Sequence, residues 1–308
     1  MKLRMNHWIW IISVLFITIG VSGVPSGAVS LHVTRLVGCG AGSYANIQTA
    51  VNAASTNDTI KVCKGKYFEN VNVTVDGLRI VGGGVAQLEC PGKAGVGFDL
   101  NAYEISVEEF SVGDCDTGIA VEPHSGGNSI ISDNIHDNGV GLALNSSNGL
   151  NTVTNCDINK NRADGIFDYG AFFDTFTDLS VHNNAGNGVE ISTNIAFVRI
   201  ANSVIQNNGA DGVYLQHSQF MLVSGNTLSQ NGNDGLELNA AYQAYIFGND
   251  LDQNKHTGGE AHSSTTSSTF DNNRAVSNNV FNFSDADGNN WFENSCPAGT
   301  TGGSATCI

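Results

Sequence analysis

From residue 118 onward the chain alternates apolar and polar positions in short bursts, each opened by a glycine. After Gly212 come Val213, Tyr214, Leu215 and Gln216; after Gly235 come Leu236, Glu237, Leu238 and Asn239. A period of two marks a strand with one buried face. The opening glycines, Gly118, Gly141, Gly165, Gly188, Gly212, Gly235 and Gly258, are separated by 23, 24, 23, 24, 23 and 23 residues. An apolar column (Ile135, Ile158, Val181, Ile205, Leu228, Leu251) and an Asn column (Asn138, Asn161, Asn184, Asn208, Asn231, Asn254) keep step with them. Such a unit is too short for a strand plus an ordinary α-helix. It holds three short strands and their turns, at about 3.3 Å per strand residue. Stacked coils pair each strand with its copy one coil on, which predicts an all-β parallel β-helix solenoid.

The columns have physical reasons. Asn tolerates the left-handed backbone of a sharp turn, and its amide can bond the next Asn to form a ladder. The pairs Asp164-Gly165, Asn187-Gly188, Asp211-Gly212 and Asp234-Gly235 mark a second turn, where glycine is expected to supply a positive φ. Earlier, "YANIQTAVNAAS" (44–55) sets Ile47, Ala50, Val51 and Ala54 at helical spacing. A short amphipathic helix there would cap the open end of the core. The expected organisation is a signal peptide over 1–28, a cap with the first strands over 29–83, coils over 84–296, and a tail over 297–308.

The signal reading rests on Lys2 and Arg4, the apolar run "IWIISVLFITIGV" (9–21), and small residues up to Gly23 or Ala28. The run is shorter than the roughly 20 residues of a membrane span, so the mature chain is expected outside the cytoplasm, secreted or at the cell surface. That compartment permits disulfides. Cys39 with Cys63, Cys90 with Cys115, and Cys296 with Cys307 are the expected pairs, leaving Cys156 free and buried, although connectivity is not readable from sequence. Across 308 residues the formal charge is −16, from 13 basic and 29 acidic side chains. This disfavours nucleic acid and anionic membranes as partners, and free polyuronates unless a cation bridges them.

The stretch "IQTAVNAASTNDTIKVCKGKYFENV" and the repeating coils resemble right-handed parallel β-helix proteins of the pectin-lyase-like superfamily. The ending "DADGNNWFENSC" (285–296) is similar to NosD-like members. The resemblance implies the right-handed twist. It implies no one activity, because the superfamily holds lyases, hydrolases, epimerases, adhesins and non-enzymatic members.

If Leu236 and Leu238 point inward, Glu237 and Asn239 point out. One outward column then runs Phe167, Glu190, Tyr214, Glu237, Glu260, and the next Tyr169, Ser192, Gln216, Asn239, His262, with His217 beside Gln216. Rings pack on sugar faces and carboxylates hold hydroxyls or move protons, so this face is the candidate glycan site. Glu190 and Glu237, two coils apart at roughly 10 Å, are the candidate catalytic carboxylates. Tyr169, Tyr214, Gln216, His217, Asn239, Glu260 and His262 are candidate substrate contacts. A second catalytic candidate is His124 in "VEPHS" (121–125), which resembles the Asp-Pro-His-Asp motif of alginate epimerases. Here Glu122 and Ser125 stand where that motif has Asp, which puts both carboxylate roles in question. Asp211 and Asp234, with Asp164 in the same column, are candidate Ca²⁺ ligands, as is the oxygen-rich 285–290 stretch. Asp168 breaks the apolar column of Leu144 and Ile191. Either its strand slips by one residue, or a partnered carboxyl is buried.

The leading functional expectation is an exported protein that binds an extracellular polysaccharide, with lyase, hydrolase or epimerase chemistry open. The alternative is a non-catalytic surface or structural protein that meets a protein partner. A NosD-like role in copper-enzyme maturation is the third, and no Met/His/Cys cluster suited to copper stands in the sequence.

Overall fold

The computed structural model describes residues 32–308 apart from 171, 194–195 and 298–299. The proposed signal segment lies outside the described residues. His32–Ile308 forms one unit of stacked parallel coils. Eleven strands, from Val71–Val73 to Thr301–Gly303, build one continuous parallel sheet. The other strands form a second bonded network that divides at Ser106–Gly113. The first half of that strand pairs with Ser129–Ile131 and the second half with Asn134–His136, so two further stacks grow from it. Coil stacking starts ahead of residue 84, since Thr34–Val37 already pairs with Thr59–Val62.

The expected short helix spans Ile47–Asn52 and buries Ile47, Ala50 and Val51. The Asn46 side chain caps it by accepting the Thr49 N–H. The Glu69 carboxylate accepts the next two free donors, the N–H groups of Ile47 and Gln48, each at 2.8 Å.

The inward columns make the core. Leu215, Leu238, Ile191, Leu144 and their neighbours are fully buried. Each such side chain contributes about 1.5–3 kcal/mol on leaving water. The Asn column is a ladder: Asn184 Nδ2 donates to Asn208 Oδ1 at 3.0 Å, and Asn208 to Asn231 at 3.1 Å. A second ladder, Asn226–Asn249–Asn273–Asn294, stands at another corner.

Two reasons assigned to these columns change. The left-handed residue is the one before each ladder Asn: Lys160, Asn183, Asn207, Gln230 and Gln253 have positive φ, and the ladder residues do not. The glycines at 165, 188, 212 and 235 also have no positive φ. They are needed for close approach. A Cβ on Gly212 would stand 2.5 Å from the Gly235 carbonyl oxygen and 2.7 Å from Asn231 Nδ2.

All three expected disulfides form. Cys39–Cys63 and Cys90–Cys115 each staple neighbouring coils, and Cys296–Cys307 ties down the tail. Cys156 is free and buried, and burial pushes its thiol pKa far up, leaving it inert.

Candidate functional site

The outer face of the eleven-stranded sheet carries the aligned columns. Glu190 pairs in register with Tyr214, Tyr214 with Glu237, and Glu237 with Glu260. Each strand there alternates: in Val213–Gln216, Val213 and Leu215 are buried while Tyr214 and Gln216 are half-exposed. Glu190 and Glu237 therefore flank Tyr214, one coil on either side. The second column pairs Tyr169 with Ser192, Ser192 with Gln216, and Gln216 with Asn239. Asn239 Nδ2 donates to Tyr214 Oη at 3.2 Å, and Ser192 Oγ donates to Gln216 Oε1 at 3.1 Å. These bonds hold the ring and the amides in place on the face.

The turn that precedes these strands supplies a row of acids. Asp164 Oδ1 accepts the Asn187 N–H at 2.6 Å, Asn187 Oδ1 accepts that of Asp211 at 2.9 Å, and Asp211 Oδ1 that of Asp234 at 2.8 Å. Asp234 Oδ1 continues the row by accepting the Thr257 N–H at 2.6 Å. The same oxygen lies 2.6 Å from His256 Nδ1, and Glu260 Oε2 lies 3.5 Å from that nitrogen. His262 Nε2 stands 3.0 Å from Glu237 Oε1. Two triplets result, Asp211–Asp234–Glu237 and Asp234–His256–Glu260, each with one ligand atom per residue within 4.8 Å of the others. Neither triplet approaches the six to eight oxygens Ca²⁺ takes, and the second offers an imidazole instead of an oxygen.

This crowding shifts proton affinity. Burial, then the Asp211 charge, pushes the Glu237 pKa up to about 7. Burial lifts Asp234 to about 6, against the hydrogen bonds it accepts. Asp211 and Glu190 are also raised, again mainly by burial, with Asp164 adding to the effect at Glu190. Burial disfavours the charged form of His256, but the hydrogen bond to Asp234 and the charges of Asp234, Glu260 and Asp211 together outweigh it and raise the pKa. A carboxyl poised near neutrality beside an aromatic ring can both give and take a proton.

The structure brings Glu190, Tyr214, Gln216, Glu237, Asn239, Glu260 and His262 together on one face, over Asp211 and Asp234. Tyr169 lies two coils from Tyr214 and stacks at 6.1 Å on Phe167. His217 is exposed in the turn after Gln216, in the left-handed region. His124 is not part of the cluster: it is exposed three coils before Glu190, roughly 14 Å away along the sheet. Beside it, Ser125 Oγ is buried and bonded to Asn128, and Glu122 accepts from Asn145. In the 285–290 stretch, Asp285 is buried and accepts from Asn289, Trp291 and Ser304, so its oxygens close the last coil. His256 was not singled out in the sequence. Its signal is its place immediately before Thr257, the next member of the Asp164–Asn187–Asp211–Asp234 column.

Asp168 is settled in favour of burial. It keeps register with Leu144 and Ile191 and is fully buried, as is Asp174, while Phe167 faces out. Asp174 Oδ1 accepts the Asn151 N–H at 2.7 Å.

The fold and this outward face define a parallel β-helix protein. Residues 140–296 match the right handed beta helix region family, and the chain belongs to it. No curated protein matches it by sequence. Among solved structures it is similar to the A-module of the Azotobacter vinelandii mannuronan C-5 epimerase AlgE4, with a TM-score of 0.66 at 14% identity over 85% of this chain and 92% of that one. It is also similar to pectate lyase Pel9A, with a TM-score of 0.52 at 12% identity over 88% of this chain and 78% of that one. Tailspike protein 2 of an Escherichia coli O157:H7 bacteriophage aligns at 0.59 and 15% identity, over 81% of this chain and 39% of that one. At such identities the likeness shows the fold alone, and it does not reach the NosD-like subtype.

Proposed function

We propose that the chain is an exported protein that binds an extracellular glycan along the outer face of its long sheet. One observation carries the reading: Glu190, Tyr214, Glu237 and Glu260 stand in register on successive coils, with His262 against Glu237. Tyr214 offers a ring for a sugar face, and the carboxylates offer hydroxyl contacts. Glu237 is the group suited to general acid–base work, in the manner of a lyase, hydrolase or epimerase. Similar structures named for mannuronan and pectate support a carbohydrate ligand. Three disulfides support an oxidising compartment, in keeping with the signal-like start of the sequence. A glycan-array screen of the mature protein tests the reading. Binding to a defined glycan that Tyr214→Ala weakens about tenfold supports it; no binding to any glycan removes it.

A second reading, a non-catalytic surface protein with a protein partner, is favoured by another feature. The exposed rings of Phe173, Phe197 and Phe220 stack at 4.9 Å along one corner of the coils, each on a left-handed backbone. On that reading Phe197→Ser abolishes binding of the partner and Tyr214→Ala leaves it unchanged. The copper-maturation reading draws no support from this face, whose candidate ligand groups hold only His and carboxylates.

A further inference from the structure

The charge on the candidate site limits what it can hold. None of the eleven strands of the sheet contains Lys or Arg. Several of the chain's cations are paired away from it: Lys66 with Glu89, Arg79 with Glu108, Lys93 with Asp114, and Arg274 with Asp252. Arg162 donates to the carbonyls of Asp137 and Cys115. Around Tyr214, by contrast, Glu190, Glu237 and Glu260 face outward with Asp211 and Asp234 beneath them. Two imidazoles stand against these acids, His256 on Asp234 and His262 on Glu237, and the exposed Lys255 precedes His256.

A polymer of uronate sugars laid along this face would set its carboxylates against a row of carboxylates. Among half-buried side chains that repulsion is screened less than in bulk water. A glycan carrying an ammonium group does the opposite. Its charge would meet Glu190 on one side of Tyr214 or Glu237 and Glu260 on the other, at intervals of about 4.8 Å per coil. The Tyr214 ring between them can take a sugar face or the cation itself.

Resting on the glycan reading of this face, we infer that its ligand class is an amine-bearing, hexosamine-type glycan and not a uronate polymer. The bound ammonium offsets the mutual repulsion of the carboxylates, a repulsion that adds to burial in raising the proton affinity of Glu237. The face thereby differs in ligand class from those of the similar structures named for mannuronan and pectate.

Titration calorimetry of the mature protein separates the outcomes. The probes are β-linked glucosamine oligomers, N-acetylglucosamine oligomers of the same length, and mannuronate oligomers, with and without Ca²⁺. Glucosamine oligomers should bind at least tenfold more tightly than the acetylated ones, and less tightly as salt is raised. Mannuronate oligomers should not bind. Glu190→Gln and Glu260→Gln, each checked for an unchanged circular dichroism spectrum and melting temperature, should weaken glucosamine binding by three- to tenfold. Acetylated oligomers that bind equally well, or mannuronate that binds in either condition, would overturn the ligand class and leave the glycan reading standing. Silence with every oligomer, joined to an empty glycan array, would remove the glycan reading and this inference with it.

Discussion

Nε2 of His262 lies 3.0 Å from Oε1 of Glu237, although the two residues sit on different coils, 25 positions apart in sequence. The contact exists because each coil places its outward side chains directly over those of the coil before. Glu237 thus gains a partner from the next coil, a neighbouring acid from the turn of the previous one in Asp211, and partial burial from both.

The first prediction concerns that carboxyl. Burial is the larger cause of its raised pKa and the Asp211 charge the next. Asp211→Asn removes a negative neighbour, so the Glu237 pKa should fall from about 7, though not to the value of a free glutamate, because burial remains. Carboxyl-edited NMR titration would read it. An unchanged Glu237 titration would show that the two groups do not interact.

The second prediction concerns the glycines. Gly212→Ala drives a methyl group into the backbone of the next coil and should cost roughly 1–3 kcal/mol in chemical denaturation. Gly248 has a φ of +64 with nothing within 4 Å of an added Cβ. Gly248→Asn, which keeps a residue tolerant of that region, should stay within about 0.5 kcal/mol of the parent. Equal costs at the two sites would contradict close approach as the reason for the Gly212 column.

A third concerns the inward and outward positions. Leu238 is fully buried and Asn239 half-exposed, one residue apart. Leu238→Asp should prevent accumulation of folded protein, since an unpaired buried charge costs several kcal/mol. Asn239→Ser should leave folding nearly unchanged. Similar yields from both would mean that the column assignment is wrong.

A fourth links acidity to stability. Burial raises the Asp174 pKa to about 6 from an ordinary value of 3.8. A carboxyl whose folded pKa is raised stabilises the fold fully below its unfolded pKa. That contribution is lost as pH rises through the folded value. The protein should therefore lose stability between about pH 4 and pH 7 through this group. Asp174→Asn keeps an acceptor for the Asn151 N–H. It should stabilise the protein at neutral pH by on the order of 2–3 kcal/mol and flatten the pH dependence. A variant less stable than the parent at pH 7 would refute the assignment.

The sequence by itself determined the coil, the inward and outward columns, the Asn ladder and the short helix. These follow from repetition: a stacked fold makes every coil solve the same packing problem, so its solution is written in the chain again and again. The register of Glu190, Tyr214 and Glu237 was legible for that reason. Only the tertiary structure decided what breaks the repetition. Asp168 could have slipped outward; it stays inward, in register with Leu144 and Ile191, and Asp174 six residues on is buried as well. His256 joins the acids because the Asp column continues into its coil as Thr257, whose N–H the Asp234 carboxylate binds. Whether a glycine serves backbone torsion or close contact depends on the atoms of the next coil. Proton affinities at the face depend on burial and on charges brought close by stacking, and linear sequence carries neither distance.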